Sequence, residues 1–172
     1  MVFLVPWRRD KALSPGSLQV SRRSFAVVLW TLSFLFFLRV LGQFLVAFFE
    51  VAFLPPMAAW MSGLVPYPQL LASQIVILLL QWKICSDFSR GRGYFVRKRA
   101  RAGAFIQWFA VVYAVAMVVR YMVTMSVHPE RRWLGGTIPI WFHFVLAGFL
   151  LTYSRYHTGR WWPWSERAGD GP

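Results

Sequence analysis

Acid is scarce in this chain: six Asp and Glu stand against 19 Lys and Arg, a formal net charge of +13. No stretch offers the paired carboxylates that glycoside hydrolysis needs. A single cysteine, Cys85, rules out an intrachain disulfide and any cysteine-based metal cluster. Of the three histidines, His143 alone falls inside an apolar run, with His128 and His157 outside, so a transmembrane haem held by two histidines lacks its second ligand. The Gly-x-Ser-x-Gly turn and the His-Glu-x-x-His zinc helix are both missing. No internal repeat is visible.

What the chain has instead is hydrocarbon. Of its 172 residues 58% are hydrophobic and 19% aromatic, and the mean hydropathy is +0.48. The stretch Phe25–Leu54 organises the rest: it is apolar apart from Arg39, Gln43 and Glu50. About 20 apolar residues suffice for a helix to cross a hydrocarbon core of roughly 30 Å. The polar exceptions lie four and eleven residues apart, near whole helical turns, so they share one face. A charge at membrane depth must face protein or water, so this helix requires partner helices. Three further apolar runs supply them, at 69–87, 104–125 and 138–155. The predicted fold is an all-α integral membrane four-helix bundle. Residues 1–24 form a basic N-terminal segment with Ser24 as a cap for the first span, 25–157 the four-span domain, and 158–172 a Trp-rich tail.

The connection Pro55–Pro68, PPMAAWMSGLVPYP, carries no charge. Pro56 suits a first helical turn and Gly63 a stop, which predicts a short interfacial helix on the outer side. Basic residues gather elsewhere: Arg8, Arg9, Lys11, Arg22 and Arg23 before the first span, and Arg90, Arg92, Arg97, Lys98, Arg99 and Arg101 between the second and third. The positive-inside rule puts both termini and the 88–103 loop in the cytoplasm of a cell with this protein in its inner (plasma) membrane. These loops flank apolar spans and form no folded basic face. They suit anionic lipid, and nucleic acid is not a partner.

With that orientation Gln43, Glu50, Gln74, Arg120 and His143 fall in the outer half of their spans, with Arg39 near the middle. Residues from all four spans thus meet in one polar layer. One reading is structural: Glu50 pairs with Arg120 and the amides bond across helices. The other is a ligand site, in which Arg120 and His143 hold the carbonyl or phosphate oxygens of a quinone or lipid, or His143 ligates a pigment. In the third loop His128 and Glu130 are the candidates for acid–base work.

Leu38–Phe44, LRVLGQF, is similar to the Leu-Arg followed by Gly in the first span of DoxX-like small membrane proteins, and the PPMAAWMSG segment and four-helix layout resemble that family too. The resemblance implies a single bundle, and some DoxX-like proteins are subunits of quinone-linked oxidoreductase complexes. It carries over no catalytic residue. The sequence therefore reads as a non-catalytic accessory or assembly subunit, with a membrane-protein partner or a second copy of itself beside it. The alternatives are a quinone-, lipid- or pigment-binding redox subunit and a small oligomeric transporter.

Overall fold

A computed structural model describes residues 15–49, 51, 53–56, 60, 66–127 and 137–159. Four long helices make up almost all of this: α1 (Pro15–Phe49), α2 (Tyr67–Arg90), α3 (Ala100–Val127) and α4 (Thr137–Thr158). A single 3-10 turn, Tyr94–Val96, sits between α2 and α3. Helix α1 begins at Pro15, where a fixed φ and a missing N–H cost nothing in a first turn. It runs unbroken through Ser24, which is therefore a helical residue and not the cap that the sequence suggested. Of the predicted interfacial helix only Pro55, Pro56, Trp60 and the flanking Pro66–Pro68 are described. Trp60 is helical, and 57–59 and 61–65 lie outside the described residues.

Among the described residues three helical stretches are long and apolar enough to cross a membrane: Arg22–Phe49, Tyr67–Arg90 and Ala100–Val127. Even the shortest, at 24 residues, reaches about 36 Å at 1.5 Å per residue, more than a hydrocarbon core of roughly 30 Å. The exterior agrees with that class. Phe105, Val112, Met122, Leu79 and Phe48 are all exposed, and a continuous apolar surface of this kind is foreign to a monomer in water.

α1 packs against α2 on one flank and α4 on the other, and α4 packs against α3, giving the order α2–α1–α4–α3. The α3–α4 contact is the most extensive. Its cause is a stripe of buried residues on α3, Gly103, Gln107 and Ala110, at helical spacing. Two of the three are small, which lets the backbones approach. A Cβ at Gly103 would fall 2.6 Å from Cβ of His157 and 3.3 Å from the Ser154 carbonyl oxygen.

Elsewhere the core gathers Ala26 and Leu29 of α1, Ile84, Cys85 and Phe88 of α2, and Phe149 and Tyr153 of α4. Its basic end is aromatic. The Phe88 ring lies 4.6 Å from that of Tyr156, which in turn meets Phe25 at 5.6 Å, both edge-on. Such pairs add about 0.5–1.5 kcal/mol beyond the area they bury.

Candidate functional site

The polar residues of α1 and α2 converge on one amide. Gln43 is fully buried. Its Oε1 accepts from Arg39 Nη1 at 3.3 Å and from Gln74 Nε2 at 2.9 Å, while its Nε2 donates to the Trp60 carbonyl at 3.3 Å. Trp60 is itself fastened, its indole N–H donating to the Pro55 carbonyl at 2.9 Å. The ring lies over Gly42, where a Cβ would come 2.9 Å from Cη2. One glutamine thus ties α1, α2 and the connection between them. The sequence shows Gln43 and Gln74 facing inward. It does not show the Trp60 carbonyl, because a backbone acceptor leaves no mark in residue type.

A second group lies between α3 and α4, where the Tyr113 hydroxyl and Nδ1 of His143 share a hydrogen bond. The rings are edge-on at 5.7 Å. Arg39 connects the two groups: its guanidinium sits 5.4 Å from the centre of the Phe142 ring, and both Arg39 and Arg120 lie within electrostatic range of His143 and Tyr113. Tyr113 went unnoticed in sequence because an aromatic inside an apolar run reads as core or as a belt residue.

Glu50, His128 and Glu130, and with them the Glu50–Arg120 pair and the outer-loop acid–base candidates, lie outside the described residues. Among the described residues Asp87 is the one acid, at the opposite end of α2. Nε of Arg39 and Oε1 of Gln74 are buried with no hydrogen-bond partner there. Gln81, one face-repeat further along α2, is 2% exposed with both amide atoms unpaired. Chemically this is a site with two cations and a phenol–imidazole pair, suited to holding an oxygen-bearing group. Among the described residues no three His, Cys, Asp or Glu gather as a metal site.

The basic end is also built, around Asp87. Its carboxylate accepts from Lys83 Nζ at 2.5 Å and from the Phe95 N–H at 3.4 Å. α2 ends at Gly91 in the left-handed region (φ 67°), with its N–H returned to Phe88 O. Gly93, at φ 128°, lies against the Asp87 carboxylate, and any Cβ there would collide with Oδ2. The loop then docks on α4: the Tyr156 hydroxyl donates to Val96 O at 3.1 Å, Lys98 Nζ sits 5.6 Å from the Tyr156 ring centre, and the Arg99 N–H donates to His157 Nδ1 at 3.2 Å. His157 lies beyond the predicted end of the fourth span. Burial holds its imidazole below the ordinary histidine pKa, and the charges of Lys98 and Arg99 push the same way.

Among the described residues these features define an all-helical protein with three helices fit to cross a membrane. No family model matches the chain, and neither a curated protein nor a solved structure proves similar to it.

Proposed function

We propose that this is a four-span protein of the inner (plasma) membrane, α4 crossing with the other three helices. Both termini are cytoplasmic, and the protein serves as a non-catalytic accessory or assembly subunit of a larger membrane complex. The observation that carries this reading is the one-sided packing of α3. Its close neighbour is α4, while Phe105, Trp108, Val112, Val115, Val119 and Met122 stay exposed along its length. The amide of Gln43 supports it, since its oxygen and nitrogen are both engaged within the protein, by Arg39, Gln74 and the Trp60 carbonyl. The likeness of Leu38–Phe44 to DoxX-like proteins points the same way.

A photo-activated cross-linker placed at Val112 in living cells tests the reading, with Val76 on α2 as control. A subunit gives one discrete adduct from Val112, at twice the chain mass if the neighbour is a second copy. No adduct from Val112 overturns it. Reporter fusions after Trp60 and after Lys98 should give opposite signals, and equal signals defeat the four-span topology.

One observation favours a second reading, a quinone-, lipid- or pigment-binding redox subunit. Two arginines stand near the Tyr113–His143 pair with no acid beside them among the described residues. A carbonyl or phosphate oxygen is the group such donors hold.

A further inference from the structure

We infer that the groove between α1 and α2 holds one acyl chain of an anionic phospholipid from the leaflet at the basic end, with Arg23 and Arg90 taking its phosphate. The groove measures about 470 Å³ and is lined by Trp30, Phe34, Phe37, Leu78, Leu79 and Trp82, among others. Its walls are rings and aliphatic chains. The one hydroxyl in the lining, that of Ser33, is turned to Cys85 Sγ at 3.4 Å. The indole N–H of Trp30 is committed to Ser89 Oγ at 2.9 Å. A polar ligand finds no partner inside, and an alkyl chain needs none. From Trp30 to Phe37 the helix rises about 10 Å, within one half of a hydrocarbon layer of roughly 30 Å.

What distinguishes this groove from ordinary lipid-facing surface is the charge at its mouth. Arg23 lies seven residues before Trp30, two turns along the same face of α1. Arg90 lies eleven after Leu79, three turns along the same face of α2. Both are exposed. The start of α1 and the end of α2 abut there, for the Arg22 guanidinium lies against Gly91. Asp87, with Arg90 in its electrostatic range, already answers Lys83 and the Phe95 N–H. One carboxylate therefore faces a surplus of positive charge. A phosphate with its chain laid up the groove meets both demands at once.

The inference rests on the membrane-spanning part of the reading above, and its test separates the two. The full chain is reconstituted in vesicles of equal parts phosphatidylglycerol and phosphatidylcholine, re-extracted in mild detergent and weighed by native mass spectrometry. Phosphatidylglycerol should be retained over phosphatidylcholine by at least about tenfold. Arg23→Gln with Arg90→Gln, both at exposed positions, should bring that ratio near parity. Leu79→Trp, which fills the groove from an exposed position, should release both lipids while circular dichroism stays unchanged. Equal retention of the two lipids by the unaltered chain overturns the inference. So does a preference that survives the double arginine change, or displacement of the lipid by millimolar inorganic phosphate. A chain that fails to enter vesicles at all overturns the membrane reading instead.

Discussion

The backbone N–H of Arg99 donates to Nδ1 of His157, so a side chain at the end of α4 caps the start of α3. The first N–H groups of a helix have no partner within it, and caps come as a rule from Ser, Thr, Asp or Asn next in sequence. Here the acceptor arrives from 58 residues away. With Nδ1 accepting, the imidazole carries its proton on Nε2, which is buried without a partner. A second proton has to displace the Arg99 N–H.

That relationship fixes a pH dependence. The folded pKa of His157 is depressed, chiefly by burial, so on acidification the unfolded chain takes up its proton first. The contribution to stability is complete above the ordinary histidine value near 6.5 and is lost as pH falls from there through the folded pKa. Melting temperatures in detergent between pH 8 and pH 5 should fall for the unaltered chain. They should fall less for His157→Gln, whose amide oxygen still accepts from Arg99. Comparing the two removes the contributions of His128 and His143, and parallel curves would show that His157 does not titrate with folding.

The contact at Gly103 predicts a sharp contrast between two glycines. Gly103→Ala puts a methyl against Cβ of His157 and the Ser154 carbonyl, neither of which can swing away. Overpacking of this sort costs about 1–3 kcal/mol, and the pH dependence above should weaken with it as α3 moves off α4. Gly148→Ala meets only Leu32 at 3.8 Å, an ordinary contact. Its effect should stay within about 1 kcal/mol of zero. Thermal unfolding of the two variants side by side decides this.

Gln43→Leu should be the most damaging change in the polar layer. Only the bond from Gln74 joins two helices, a kind that averages about 0.6 kcal/mol, but the same change also strips the Trp60 carbonyl and the Arg39 guanidinium of their contact with the amide. Arg39 is left worse off than the amides, since its guanidinium loses the Gln43 oxygen while remaining buried. Gln74→Leu should cost less, and less still when Gln43 is already Leu. Additive losses in that cycle would mean the two amides do not meet.

His143→Gln separates scaffold from ligand site. If the layer only holds helices together, glutamine keeps a partner for the Tyr113 hydroxyl and the change is nearly silent in melting temperature. If the layer binds a quinone, lipid or pigment, a small molecule that co-purifies with the unaltered chain should disappear while the fold remains. Absorption spectra and lipid extracts of the two preparations read the difference.

The helices were legible because long apolar runs leave little choice in a bilayer, and most bounds moved outward by a few residues where polar ends could continue the helix. But α1 stops at Phe49, short of the predicted Leu54, with Val51, Phe53 and Leu54 outside the helix. At the start of α1 the outward movement was larger: Pro15 and Gly16 look like breakers, yet a proline in the first turn starts a helix as readily as it ends one. Gln43 and Gln74 announced themselves by polarity and spacing. The other half of each contact did not, whether it was the Trp60 carbonyl or the Tyr113 hydroxyl. The role of His157 as a cap left no mark in the sequence, since it follows from the docking of a basic loop that reads only as a determinant of orientation. The glycines of that loop gave the one available hint, a Gly-Arg-Gly next to a lone aspartate.

The helix order α2–α1–α4–α3 also sets a timetable for biosynthesis. α1 is made first, yet the ring over Arg39 belongs to Phe142 of α4, the last of the four described helices in chain order. The bond from Gln74 to Gln43, by contrast, can form as soon as α2 follows α1 into the bilayer. α3 and α4, each other's closest neighbours, make a second such pair. The expected order of assembly is therefore two hairpins, the first latched through its glutamines before the second arrives. One flank of that first hairpin stays open, with a buried arginine uncovered, until the second arrives to close it.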